Sequence, residues 1–397
     1  MVSEFLANHW LTLSFYVLII TLLIVYRKKF EFQARIIALR RTKFGIRFIN
    51  KYAKKYREFI KLLGYIGIGI GYAGMIYISI FVIRGFIKLF TQPKAPAAVS
   101  LVLPGVNVPG SPLTIPLWVI IPLFIVVVIH EAGHGLVAKA HKIPIKNTGI
   151  AFFGPLAGAF VEPDEKKVEK SADTTQYSIF AAGPFANALT AIVAGLLVVF
   201  VFAQLVPIPF MNNTGSMVTP DGFSFAELQN ETVPAAEYGL EAGVVYTHVN
   251  GKELNSTQSF STFLNSLEPE ENVTFTARNG STVTVVPTES PEQPGQGYLG
   301  VLKPRLETRI RDDIATWKYH TVHFFGEFFF WIHILSLGLG AFNLLPLGPV
   351  DGGQMMRLSL RRIYGDEKGN KYWAKMGLLL FIIVLFLIFF PMLQALF

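Results

Sequence analysis

His130 and His134 stand four residues apart, with Glu131 directly after the first, in the stretch His130-Glu131-Ala132-Gly133-His134. Ile121 to Ile129 is almost wholly apolar and leads into it without a break, so the whole reads as one helix, on which positions i and i+4 share a face. Two imidazoles so placed reach one Zn2+, and the carboxylate between them reaches a water on the same ion. The metal lowers the pKa of that water toward about 7, and Glu131 can then accept its proton and later pass it to a leaving amine. The chemistry implied is hydrolysis with no covalent intermediate. Two His and a Glu in an apolar span cost on the order of several kcal/mol unless paired or wetted, so incidental placement is a poor account of them. A proton or ion relay is the competing one.

Two ligands from one helix leave a third to be found, and an acidic residue in another apolar segment is the natural candidate. Asp351 lies in Asn343-Leu344-Leu345-Pro346-Leu347-Gly348-Pro349-Val350-Asp351-Gly352-Gly353, where two prolines and three glycines must unwind a helix and free backbone for a cavity. The alternative is a carboxylate that caps a loop at the membrane surface. The chain has no cysteine, which excludes disulfides, iron–sulfur clusters and thiolate-bound zinc. Among the other histidines, His333 sits 18 residues before Asp351, about 27 Å if helical, too far to share its metal. His320 and His323 precede the same apolar run, His141 lies just past the first one, and His9 and His248 have no constellation around them.

The elements that must position these residues follow from composition. Of 397 residues 52% are hydrophobic and only 16% charged, against roughly 25% in soluble domains, and the mean hydropathy is +0.45. That is the balance of a polytopic α-helical membrane protein. A bilayer core of about 30 Å needs roughly 20 apolar residues, and about six segments approach that length: Trp10 to Tyr26, Leu62 to Ile83, Leu117 to Ala138, Tyr177 to Val206, Phe324 to Leu345 and Met376 to Phe397. The first lacks the basic start and small-residue cleavage site of a signal peptide, so it reads as a retained span.

The net charge of +8 is concentrated beside these runs. Arg27 to Lys61 is densely basic, with Glu31 and Glu58 its only acidic residues, and reads as a cytoplasmic loop rather than a nucleic-acid surface, compatible with contact to lipid headgroups. Alternation then puts 139–176 and 352–375 inside, and the N-terminus, 92–116 and 207–321 outside. Arg357, Arg361, Arg362, Lys368, Lys371 and Lys375 fall in the last inside segment, as the positive-inside rule requires. Leu117 to His130 is about 20 Å of helical rise, which sets the metal in the cytoplasmic half of the bilayer, and the fifth span brings Asp351 to matching depth. The outside segment carries Asn-x-Ser/Thr sequons at Asn212, Asn230, Asn255, Asn272 and Asn279, which suit an exported surface or arise by chance in a Ser/Thr-rich stretch.

From about Thr214 to Pro304 the chain turns polar and lacks long apolar runs, which predicts a small soluble α+β domain. Val244 to Val249 runs into Asn250-Gly251, and Val273 to Ala277 joins Val283 to Val286 across Asn279-Gly280, which predicts a type I′ hairpin. Gly239-Leu240-Glu241-Ala242-Gly243, the strand after it and Val249-Asn250-Gly251-Lys252 resemble the core of a PDZ domain of the kind found in membrane proteases. On the cytoplasmic side Ile143 to Phe153 and Leu156 to Val161 flank Gly154-Pro155 and read as a short β-hairpin, whose edge could pair with an extended substrate segment or be ordinary surface.

Taken together, the HExxH pattern in a span, Asn-x-x-Pro-x4-Asp-Gly at 343–352, and Gly183-Pro184-Phe185-Ala186-Asn187 at the start of the span between them resemble the site-2 protease family of intramembrane zinc metalloproteases. Val350 stands where that family usually has Leu. The resemblance implies Zn2+ on His130, His134 and Asp351, Glu131 as catalytic base, and Asn187 and Asn343 as groups that hold the substrate strand or the developing oxyanion; polar glue between helices is the other reading of each Asn. It also implies a membrane-spanning protein as substrate and the lipid bilayer as surroundings, in a multi-pass cell-membrane protein, with no nucleic acid as partner. Four sections result: 1–116, a membrane region with two spans and the basic loop; 117–213, the first part of the protease core; 214–304, the PDZ-like extracytoplasmic domain; and 305–397, the second part of the core and a last span. The rival class is a non-catalytic membrane receptor or scaffold working through the PDZ-like domain, for which a carboxylate between the two His has no use. A metal transporter would call for further intramembrane acidic sites.

Overall fold

The computed structural model of the chain describes residues 2–33, 37–91, 99, 104–105, 115–154, 156–205, 216–229, 232–254, 256–291 and 293–394. In chain order the elements are α1 (Val2–Val25), β1 (Glu31–Gln33), β2 (Ile37–Thr42), α2 (Ile46–Lys55), α3 (Arg57–Thr91), α4 (Ile120–Ala140), β3 (Ile145–Phe153), β4 (Leu156–Pro163), α5 (Glu165–Glu169) and α6 (Asp173–Leu205). There follow β5 (Val218–Leu228), α7 (Pro234–Glu237), β6 (Tyr246–Val249), β7 (Lys252–Glu253), α8 (Thr257–Asn265), β8 (Val273–Ala277), β9 (Thr282–Val285), β10 (Thr288–Glu289), β11 (Gly297–Tyr298) and β12 (Val301–Ile310). The chain closes with α9 (Thr316–Asn343), α10 (Asp351–Tyr364) and α11 (Asp366–Gln394).

Two compact units emerge, one from residues 1–198 with 327–397, the other from 199–326. In the first, α3, α4 (with the 3-10 turn before it), α6, α9 and α11 are long and apolar enough to cross a bilayer, five such helices among the described residues. Large apolar side chains on their outer faces, such as Ile192, Val193 and Leu196 on α6, are exposed, as lipid contact requires and water would penalise. The chain is therefore a multi-pass membrane protein. The sixth expected span corresponds to α1, whose apolar stretch Thr12–Val25 rises only about 21 Å.

Small residues let the helices close. On α3 a stripe of Gly64, Gly67 and Gly71 faces Val137 of α4, Phe185 of α6 and Met355 of α10, each too near for a further carbon without adjustment. The basic loop expected between the first two spans is more ordered than its composition suggested. It contributes β1 and β2 to a four-stranded antiparallel sheet in the order β1-β2-β3-β4, so the expected hairpin of β3 and β4 is half of a larger sheet. Single-strand polarity hid β1 and β2, because β2, on which β1 pairs, finds its other partner β3 about a hundred residues away. The expected inside loop 352–375 is likewise helical, as α10 and the start of α11.

The second unit holds a mixed α+β domain with a sheet in the order β12-β5-β6-β8-β9, and β7 paired to β6. Its core gathers Phe223, Phe225, Tyr246, Phe260 and Phe275. The hairpin β8–β9 forms as predicted, but its turn is not type I′. Only Gly280 has a positive φ there, Ala277 accepts from the Gly280 N–H, and the Asn279 side chain accepts from Ser281, the pattern of a three-residue loop closed by a glycine bulge. Asn250 and Gly251 instead carry the paired positive φ of a type I′ turn, between β6 and β7. Of the sequons, Asn272 and Asn279 are exposed; Asn212, Asn230 and Asn255 lie outside the described residues.

Candidate metal centre

The centre is assembled from α4, α6 and α10. His130 and His134 project from successive turns of α4, their ring centroids 4.9 Å apart and their Nε2 atoms 3.2 Å apart. Asp351, the first residue of α10, sets Oδ2 3.1 Å from His130 Nε2 and Oδ1 3.3 Å from His134 Nε2. A tetrahedral Zn2+ with bonds near 2.0–2.1 Å separates its ligand atoms by roughly 3.3 Å, a spacing met between the two imidazole nitrogens and between each of them and one oxygen of the carboxylate. Side-chain exposures of 6%, 13% and 17% for His130, His134 and Asp351 keep bulk water from competing for these donors.

Local sequence explains the convergence. α9 stops at Asn343 because Pro346 and Pro349 cannot supply helical N–H groups, and the chain returns through 344–350 to restart at Asp351. That return is tight. A Cβ on Gly352 would come within 2.2 Å of the Leu344 carbonyl oxygen, and one on Gly353 within 1.5 Å of that of Leu347. Gln354 completes the turn by donating Nε2–H to the Gly348 carbonyl at 3.1 Å.

α6 approaches from the other side, and here Gly183 is decisive. A Cβ at this position would lie 2.3 Å from His134 Nε2 and 2.5 Å from His130 Nε2, so the bare backbone leaves open the space into which the ligand atoms point. Pro184 withholds the N–H that the Phe180 carbonyl would accept, loosening this turn of α6. In the same turn the Ile179 carbonyl accepts from His134 Nδ1 at 2.7 Å, which leaves the Nε2 lone pair for a metal.

Asn187 is wholly buried, and its amide nitrogen stands 3.1 Å from His130 Nδ1, while its Oδ1 has no hydrogen-bond partner. A half-turn of the carboxamide exchanges the two ends. With the oxygen toward His130, Nδ1–H donates to Oδ1 and Nε2 is free to ligate. Glu131 is half-buried beside the cluster, and its Oε2 accepts the Val161 N–H of β4 at 2.9 Å. Asn343 donates Nδ2–H to Leu339, one turn back along its own helix, at 2.9 Å.

Two of the other histidines serve elsewhere. His333 donates from Nδ1 to the Ala191 carbonyl at 2.7 Å and ties α9 to α6. His141, just beyond α4, lies near Ser178 and Thr175, and burial, then Lys61 and Arg57, hold its pKa below the ordinary imidazole value. Sequence reasoning assembled the three donors and Glu131 but missed Gly183, the Ile179 carbonyl and Val161. The signal for Gly183 was visible as the glycine of Gly-Pro-Phe-Ala-Asn; backbone groups such as the other two carry none. An apolar groove of about 370 Å³ runs between α4, α6 and α9, lined by Ile129, Leu189, Val193, Leu197, Phe329 and Ile332, and it begins one residue from His130.

The family model of peptidase family M50 matches residues 118–384, a span that takes in every residue of this centre. An uncharacterised protein of Methanocaldococcus jannaschii is 28% identical over 360 residues, 87% of this chain and 83% of the relative. A zinc metalloprotease of the same organism is 43% identical over 54 residues, 14% of this chain and 16% of its own length. The zinc metalloprotease RasP of Shouchella clausii is 26% identical over 232 residues, 47% of this chain and 53% of its own.

Proposed function

The chain belongs to peptidase family M50, the site-2 protease family, and on that premise we propose that it is an intramembrane zinc endopeptidase that cuts other membrane-spanning proteins within or beside their transmembrane segments. The observation that carries this reading is the meeting of His130, His134 and Asp351 at tetrahedral spacing, with Glu131 alongside, on helices that are apolar enough to lie in a bilayer. Two relatives named as zinc metalloproteases support the metal, and the donor set of two imidazoles and one carboxylate fits it. When bound, zinc supplies a Lewis acid that polarises a carbonyl and acidifies water.

The residues divide the remaining work. Glu131 takes the proton released by the attacking water and returns it to the leaving amine. The hydrogen bond that it accepts from the Val161 N–H fixes the carboxylate's direction. Asn187 acts as a positioning residue, holding His130 in the tautomer that ligates through Nε2, rather than touching substrate. Asn343 faces substrate or the developing oxyanion once its bond to Leu339 exchanges. The groove beside Ile129 accommodates the apolar part of a substrate helix, and β4, the last strand of its sheet among the described residues and tied to α4 through the Val161 N–H, pairs along its remaining edge with the stretch that has unwound for cleavage. By the positive-inside rule residues 27–61, 139–176 and 352–375 face the cytoplasm and 207–321 the outside, which puts the metal in the cytoplasmic half of the membrane. The sheet domain at 214–304, read as PDZ-like, restricts access to substrates already trimmed of their bulk.

The test is purified protein with a model transmembrane substrate, with and without a zinc chelator and beside Glu131→Gln. Cleavage should stop under both treatments and return on adding zinc to the wild type alone. Cleavage insensitive to both would overturn the mechanism, and a chain that retained partner binding but never cleaved would favour a receptor.

A further inference from the structure

Helix α2 has three faces of different chemistry. Ile49 and Ala53 are buried, and Ile49 lies against Gly135 of α4. One exposed flank carries Phe48, Tyr52 and Tyr56 in a row one turn apart, with ring centroids 4.4 Å and 6.3 Å apart, continued by Phe44 before the helix. Phe44, Phe48 and Tyr56 are 89%, 56% and 45% exposed. The other flank carries Arg47, Lys51, Lys54 and Lys55. From Lys43 to Arg57 there are six cations and no acidic residue, and among the described residues none of these four enters an ion pair.

Position makes this face interpretable. Only Tyr56 separates α2 from α3, the longest of the apolar helices. Arg57, Glu58 and Lys61 open α3, so hydrocarbon begins near Leu62 and α2 sits about 9 Å above it, at headgroup depth. Exposed aromatics are stable there, where the ring lies in the apolar margin and the hydroxyl in water, and unpaired cations beside them meet lipid phosphates. Lys51 and Lys55 also lean over the rings of Tyr52 and Tyr56 at 5.8 Å and 5.0 Å, so the two flanks form one surface.

We propose that α2 is an interfacial helix that binds the anionic lipid surface, with Phe44, Phe48 and Tyr56 inserted and Arg47, Lys51, Lys54 and Lys55 on the headgroup phosphates. The charge decides the occupant. A purely apolar partner would leave four cations unmatched, whereas an anionic leaflet satisfies both flanks at once.

The chain lacks cysteine, so Phe48→Cys gives a unique site for an environment-sensitive dye on the full-length protein in nanodiscs. Two measurements apply: quenching of that dye by lipid bearing a shallow nitroxide, and the ratio of phosphatidylglycerol to phosphatidylcholine retained by unlabelled protein after a delipidating wash. Wild type should retain phosphatidylglycerol about tenfold above its bulk share. Arg47→Gln/Lys51→Gln/Lys54→Gln/Lys55→Gln should lose most of that enrichment and lower dye quenching in phosphatidylglycerol discs. Lys142→Gln/Lys166→Gln/Lys167→Gln/Lys170→Gln, equal in charge and exposed elsewhere, should keep both. Equal enrichment in wild type and the first variant would overturn the proposal. So would a dye quenched by no lipid, binding of a single-stranded oligonucleotide that displaces the phosphatidylglycerol, or crosslinking of position 48 to a second copy in place of lipid contact.

Discussion

At the scale of single residues the centre depends on which nitrogen of each imidazole is free. His134 is settled by the Ile179 carbonyl, a backbone group that no side-chain substitution removes. His130 depends on Asn187, whose unpartnered Oδ1 is accounted for only when it accepts from Nδ1. Asn187→Asp keeps an acceptor at that place and should retain zinc affinity. Asn187→Leu keeps the volume without it and should weaken zinc by about 10–100-fold, measured by competition with a chromophoric chelator. Equal affinities in the two variants would remove the positioning role and return Asn187 to helix packing. Gly183→Ala makes a sharper demand, since its Cβ would intrude between the two Nε2 atoms. Zinc binding should be lost while the metal-free protein unfolds at nearly the wild-type temperature; a variant that binds zinc as wild type does would show that α6 shifts freely. What was legible at this scale were side chains with chemistry of their own. His130, Glu131, His134 and Asp351 declare themselves by type and spacing, whereas Val161 matters through an N–H that every residue but proline has.

Between residues and molecule stand the elements that hold the donors at ligand spacing. The return from α9 to α10 is made of close backbone contacts, and Gly353→Ala should displace α10 and carry Asp351 with it. The expected outcome is a fall in both zinc affinity and thermal stability, the latter by about 1–3 kcal/mol, checked by chemical denaturation in detergent. A stable variant with undiminished zinc binding would show the return to be pliable. The sheet beside α4 has its own fastening. Glu162 on β4 accepts from Asn147 of β3 at 3.0 Å and from Arg41 of β2 at 3.0 Å, and the Asn147 hydrogen bond, followed by Arg41, lowers its pKa. A carboxylate whose folded pKa is depressed stabilises fully above its unfolded value and loses that contribution as pH falls through the folded one. Amides of β2–β4 should therefore lose protection, measured against their intrinsic exchange rates, at acid pH in wild type, and Glu162→Gln should remove that pH dependence. Spans were legible because a bilayer demands long apolar runs. Strands β1 and β2 were not, because both are short and β2, on which β1 pairs, finds its other partner β3 far along the chain, and neither was the turn at Asn279-Gly280, a bulged three-residue loop where the dipeptide predicts type I′.

For the whole molecule the question is which side the metal faces, and charge asymmetry is the physical basis for an answer. Alternate crossing by the five apolar helices predicts that the segment between α4 and α6 and the one between α9 and α11 share a side, with residues 216–310 on the other. Whether α1 also crosses does not alter this, since the parity of the other five is counted from the inner end of α3, which the summed charge of the inside segments sets. Because the chain has no cysteine, single substitutions report sidedness without background. Lys170→Cys, exposed just before α6, should react with a membrane-impermeant maleimide only when the inner face is open to the reagent. Asn272→Cys, exposed in the sheet domain, should react in intact cells. Labelling of both from one side would break the alternation, and labelling in the reverse sense would place His130 and His134 in the outer half. The cationic flank of α2 then predicts how firmly the orientation is held: Arg47→Gln/Lys51→Gln/Lys54→Gln/Lys55→Gln should leave Asn272→Cys outside, because Arg27, Lys28, Lys29 and the six cations from Arg357 to Lys375 still bias the same side. Inversion by those four substitutions alone would mean that α2, rather than the summed charge of the inner segments, sets the topology.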